Sequence, residues 1–320
     1  MPIRIMRILA LMSAASTALE GQEAQHLVAH RVWTLDAAGG ESFLNVMGIA
    51  PASDGSIMVS DKLANALVRI DTIGHVKQKL QKKGKTPGAL NGPGLVATSG
   101  ALVAVAGFAS ERIELYTMDL VPVAEIRAVG PVFSIAFDGK GCLWVGAMRG
   151  AGGETLFRYS QEGHELLRRK GQASRGIMFE DMFHVAAAEG TIYLTYITRN
   201  IFERWDVQGT PLGVTTVSGF PSTVPSAGVT TGGGMEQLPV PGILFAGCTA
   251  DAEGRIHILA GDAAPHPRRD VFEINERGEI VSLVTLPERS SGIRIDSQGR
   301  IVAIENHKTR LSCYSLRKAR

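Results

Sequence analysis

Two short stretches of this 320-residue chain set a carboxylate beside an imidazole: Glu305-x-His307, and Asp262 with His266 four positions on. Oxygen and nitrogen donors of these types hold divalent cations, and ligands from neighbouring loops can converge on one ion. Glu305, His307, Asp262 and His266 are therefore the candidate metal ligands, at a spacing that permits a site without specifying one. Other chemistry leaves little trace. No H-E-x-x-H, no G-x-S-x-G and no paired zinc spacing occurs. Gly84-Lys85-Thr86 imitates the end of a phosphate-binding loop, but that motif needs a glycine where Lys79 stands, and a helix after it. Cys142, Cys248 and Cys313 are odd in number and form no C-x-x-C, so they read as buried free thiols rather than a disulfide framework. No catalytic residue and no cofactor is assigned, with a divalent cation the one ion for which the residues leave room.

The elements that must position these residues come from a repeat. Six times an apolar strand runs into a tight polar turn and a second apolar strand, as in Gly48-Ile49-Ala50 to Gly55 to Ile57-Met58-Val59. The turn glycines fall at 55, 100, 141, 190, 254 and 299. Most of the intervals between them lie in the range of about 40–50 residues, with several short strands per unit, that marks a β-propeller blade. A third strand follows each pair, for example Leu67-Val68-Arg69-Ile70-Asp71, and a fourth in most copies, as at Val76 to Leu80. Along that third strand, alternation sends Val68 and Ile70 to one face and Leu67, Arg69 and Asp71 to the other, as in a sheet with one covered face. The last copy ends after Leu311 to Tyr314 without a fourth strand, while Val32 to Leu35 near the N-terminus has no local partner. The expected fold is all-β: a six-bladed β-propeller of four-stranded blades, closed by the N-terminal strand pairing in the last blade, which removes both sheet edges. One domain over residues 30–316 is expected.

Gly84 to Pro93, together with Val59-Ser60-Asp61, Asn65, Leu67 to Asp71 and Gly74, resembles the inter-blade phrase and the second and third strands of NHL-repeat six-bladed propellers, and Glu305 to Leu311 echoes it. The resemblance implies a rigid ring whose loop-built end binds a partner, on the face where the loops between second and third strands cluster. In those loops Asp61, Arg149, Arg199, Asp262, His266, Arg268, Glu305 and His307 are the binding-face candidates. The function so implied is non-catalytic: recognition of a protein, peptide or glycan. The alternative is a metal-dependent, lactonase-like hydrolase of the gluconolactonase and senescence-marker propeller type, in which a channel cation polarises a lactone carbonyl. Glu41 sits near where that family's first ligand would lie, but its Pro-x-Trp sequel is absent and its Asn and Asp ligands find no match.

Composition limits the partners. Lys plus Arg number 33 against 31 Asp plus Glu, a formal net charge of +2, which is too small to draw the chain to nucleic acid. Residues 1–18, with Arg4 and Arg7, an apolar run from Ile8 to Ala15 and small residues at Ser16-Thr17-Ala18, read as a signal peptide. Its removal would leave a formally neutral, secreted or periplasmic protein, and its retention a cytoplasmic one. No stretch approaches the roughly 20 apolar residues of a membrane span, and a monomer is expected. Ser218 to Gly242, rich in Ser, Thr, Pro and Gly, explains the long interval between the fourth and fifth turns; a loop of that length is a lid or a tolerated insertion.

Overall fold

The structure, a computed structural model, describes residues 24–38, 40–108, 110–148, 153–177, 179–188, 190–222, 242–251, 253–262 and 266–319. The signal-peptide reading of residues 1–18, the candidate Arg149 and most of the Ser218–Gly242 loop lie outside them.

Six antiparallel four-stranded units follow one another. Blade one comprises Val46–Pro51, Ile57–Asp61, Ala66–Ile70 and Val76–Gln81. Blades two to five repeat the pattern from inner strands Pro93–Thr98, Val132–Phe137, Phe183–Ala188 and Phe245–Ala250. Blade six starts at Gly292–Ile295, continues through Ile301–Glu305 and Arg310–Lys318, and takes its outermost strand from Gln25–Leu35 at the other end of the chain. The six inner strands contact one another in cyclic order, the last against the first, so the ring is closed.

Closure runs through the register the sequence suggested: Leu35 pairs with Leu311, Thr34 with Ser312 and Trp33 with Cys313. The strand, Gln25–Leu35, is longer than the expected Val32 to Leu35, however. Its start, Gln25 to Leu27, also pairs in parallel with Ser282 to Val284 of blade five, which welds the last two blades into one eight-stranded sheet. Trp33 reaches across the seam to donate from Nε1 to the Thr72 carbonyl of blade one (3.1 Å).

The one-covered-face expectation for the third strand is corrected. Leu67 and Val68, on opposite faces of blade one, are both fully buried: Leu67 packs towards blade two with Val103 and Tyr116, and Val68 towards blade six with Val302 and Cys313. Blades stack face to face, so the middle strands are covered on both sides and read as continuous apolar runs. The outermost strands instead mix exposed with half-buried residues, as Val76–Gln81 and Pro211–Thr216 do.

The turns explain the spacing of the repeat. Of the six anchor glycines, Gly55, Gly141, Gly190, Gly254 and Gly299 have positive φ, the left-handed region that glycine enters without strain; Gly100 does not. In three of these turns an aspartate three residues upstream clamps the loop: Asp138, Asp251 and Asp296 each accept two backbone N–H groups through Oδ1. Their second oxygens accept from Arg158, Arg255 and Arg300. At the hub the inner strands approach closely, since a Cβ on Gly48 would stand 2.7 Å from the Gly94 carbonyl oxygen.

Candidate functional site

The hub is a channel with a cavity at each end. The larger, about 420 Å³, opens on the face built by loops between second and third strands and by the crossovers between blades. Its walls are apolar and aromatic, with Phe108, Phe133, Phe179, Phe245, Met47 and Met182 among them. The smaller lies at the opposite ends of the inner strands, among Ala50, Thr98, Phe137, Ala187 and Ala250. Arg294 lines both cavities and so stands between them.

Arg294 occupies, in blade six, the position five residues before the turn glycine that holds Ala50, Ala136 and Thr249 in blades one, three and five. Its Nη1 donates to the carbonyls of Ile293 (2.8 Å) and Cys248 (3.4 Å), and no carboxylate is among its partners in the described residues. Burial lowers its pKa from the ordinary guanidinium value. His184 on the inner strand of blade four has its Nε2 3.4 Å from the Phe245 carbonyl oxygen. Burial, helped by the positive charge of Arg294, pushes it down to about 4, so it is neutral at physiological pH. Lys308 lines the same cavity with its Nζ against the Met47 sulfur (2.9 Å); burial, then Lys62 and Arg268, lower its pKa. The hydroxyls of Thr198 and Ser291, both lining residues, are buried without a hydrogen-bond partner.

No Asp or Glu lines this cavity among the described residues. The acidic side chains of the same face are occupied in holding the loops that form it. Asp61, almost fully buried, accepts the N–H groups of Leu44, Asn45 and Ala64. Glu305 accepts from Ser312 (2.7 Å) and Tyr314 (2.6 Å) and is fully buried. Glu203 accepts from Tyr196, Trp205 and the N–H groups of Gln172 and Ala173, which anchors the crossover after blade three. Asp181 receives the N–H groups of Arg175 and Gly176 in that same crossover.

The remaining candidates divide between the mouth and the scaffold. Arg268, at the rim, is the one candidate among the described residues that lines the cavity, and its guanidinium is paired with Asp262 in two hydrogen bonds (2.8 and 3.2 Å). His266 pairs with Asp270 (3.2 Å). Arg199 is buried: it donates to the carbonyls of Glu180 and Ala173 and stacks 4.1 Å from the Tyr196 ring centroid, so it staples the crossover. His307 lies in a one-turn 3-10 segment with positive φ. Glu305 and His307 do not converge with Asp262 and His266, and no three His, Cys, Asp or Glu side chains among the described residues are grouped to hold a metal. Glu41 pairs with Lys79 on a side pocket and lines neither end of the channel. Among the described residues the donor set a hard cation needs is thus not assembled.

Sequence reasoning passed over Arg294, His184 and Lys308 as site residues. A signal for the first was present: Gly292-Ile293-Arg294-Ile295 carries a charge on a strand type that is otherwise neutral and apolar.

No family model and no curated protein matches the chain. Solved structures do. A streptogramin B lyase structure shares 11% identity and a TM-score of 0.59 over 91% of this chain and 98% of that one. Virginiamycin B lyase from Staphylococcus aureus shares 14% and 0.52 over 92% and 88%. A protein of unknown function from Bacteroides thetaiotaomicron shares 14% and 0.62 over 92% and 76%. Likeness at these identities is one of fold: the chain is a β-propeller of the architecture these proteins share.

Proposed function

We propose that this propeller is a recognition module that takes an apolar segment of a protein or peptide, end-on, in the mouth of its channel and performs no chemistry on it. The observation that carries the reading is the lining: aromatic and aliphatic walls, a few polar points, and no carboxylate among the described residues. Binding sites have that composition, whereas the cation of a metal-dependent hydrolase needs several oxygen ligands, which this lining does not supply. Exposed Leu44, Leu63, Phe108 and Ile177 stand in loops of the same face and extend the apolar contact beyond the mouth. That surface favours a polypeptide over a glycan, whose hydroxyls would meet few polar partners there.

The N-terminal segment supports export, and neutral net charge after its removal supports a partner other than nucleic acid. We propose a monomer on the ground that ring closure pairs the strands from the two ends of the chain with each other and leaves no unfinished blade for another copy to complete.

The test is ligand-observed NMR of the purified protein with pooled short apolar peptides and with oligosaccharides, alongside metal analysis and a lactone and phosphoester hydrolysis screen. Peptides should bind and be recovered intact, and Phe108→Asp should weaken them at least about tenfold, since a charge placed on the aromatic rim must be desolvated. Stoichiometric metal with turnover would replace this reading by the lactonase-like one.

A further inference from the structure

We infer that the channel floor is an anion site: Arg294 takes the carboxylate of a ligand whose apolar body fills the aromatic mouth, with Lys308 reinforcing the attraction from within the same cavity. The inference rests on the binding reading above and specifies its ligand.

Three independent observations meet at this place. The first is a cation without a counter-ion. Arg294 stands on an innermost strand with two backbone carbonyls as its partners, at a register position filled by Ala50, Ala136 and Thr249 elsewhere in the ring. A half-buried guanidinium without a counter-charge beside it is unfavourable, and the position plainly accepts a small neutral residue. The second is the sign of the cavity. Its charged lining residues are Arg268, Arg294 and Lys308, and of these Arg268 alone has a carboxylate partner, Asp262, in the described residues. The third is a pair of orphaned donors: Thr198, 5% exposed, and Ser291, three positions before Arg294, line the same cavity, and the hydroxyl of each is buried with no partner. His184 adds a ring that stays neutral beside the guanidinium and so does not compete for the anion.

A carboxylate matches this set better than a phosphate. One guanidinium fork accepts one carboxylate in two parallel bonds, and the walls give a second phosphate charge no further partner at the floor. Two sources present this chemistry, the C-terminus of an apolar peptide and the head of a fatty acid. The same anion at the floor serves either.

The experiment titrates the full protein with N-acetyl-leucine and with decanoate, each against its neutral counterpart, N-acetyl-leucinamide and decanol, by isothermal calorimetry or ligand-observed NMR. Each acid is expected to bind at least about tenfold tighter than its neutral partner, as a charge-assisted hydrogen-bond pair provides. Arg294→Met should abolish that preference, Arg294→Lys should retain part of it, and the tighter of the two acids identifies the source. Equal binding of acid and neutral forms would overturn the anion site and leave the apolar recognition reading intact. A preference that survives Arg294→Met would move the anion away from the floor and overturn the inference. Binding by none of the four also overturns it, while the peptide screen judges the recognition reading separately. Should Arg294→Met fail to fold, the acid-to-neutral ratio of the unaltered protein still decides.

Discussion

A guanidinium inside a protein is tolerated where a carboxylate, a ring face or several carbonyls replace its water, and the arginines of this chain sort by that rule. Arg199 has carbonyls, the Tyr196 ring and Asp181 at 3.6 Å; Arg158 has Asp138 and the Trp144 ring. Arg294 has two carbonyls and an open cavity. Its neighbour His184 reports on the same environment. The unfolded chain protonates this histidine near pH 6.5, whereas in the fold burial and Arg294 hold it at about 4. Between those values the unfolded state binds more protons, so stability falls as pH drops through that window and is unaffected by His184 above it. His184→Gln should therefore flatten the urea-denaturation midpoint between about pH 4 and 6.5, by up to about 1.4 kcal/mol for each pH unit removed. An unchanged slope in the variant would show that His184 is not held neutral.

At the scale of the element, the propeller is assembled from turns and crossovers that carboxylates lock in place. The turns were visible in the sequence through their glycines, and the aspartates that clamp three of them, Asp138, Asp251 and Asp296, stand three residues upstream because the interaction is local and spans four residues. The crossover anchors were not visible. Glu203 meets Gln172 and Ala173 across about thirty residues of sequence, and no pattern in either segment announces the other. Loop position alone made Asp61, Arg199 and Glu305 resemble binding residues, yet in the fold they face inwards onto backbone and buried hydroxyls. Glu203→Ala would orphan the Tyr196 hydroxyl, the Trp205 indole N–H and two backbone donors, each of which costs about 1–3 kcal/mol when left unsatisfied. We expect a loss of at least about 3 kcal/mol in urea unfolding, with protease cleavage appearing first between residues 171 and 183. A loss below about 1 kcal/mol would mean that water replaces the carboxylate there.

Over the whole molecule, stability depends on a ring in which every blade packs on two neighbours. The apolar clusters lie between successive blades, as blades two and three share one around Leu115, Phe137 and Val145. Closure is therefore not an embellishment of the last blade. Residues 25–35 pair with both Arg310–Lys318 and the outer strand of blade five, and Trp33 bonds to blade one. Deleting residues 1–35 exposes two strand edges and uncovers the blade-six face, which should convert the proposed monomer into oligomers on size-exclusion chromatography and erase the cooperative thermal transition. A truncated chain that stays monomeric and melts cooperatively would show that five complete blades suffice.

The amino-acid sequence by itself determined the architecture of this protein. A repeat of glycine turns and apolar strands can bury its surfaces only by stacking, and a lone strand at one end and an incomplete blade at the other have each other as partners. The hub was decided by the tertiary structure alone, because six inner strands from residues 46 to 295 meet there and the single charge on them, Arg294, has meaning only once the other five show that no described residue of the lining opposes it. Local sequence encodes turns and strands; the sign of a cavity is a sum over residues that only the closed ring brings together.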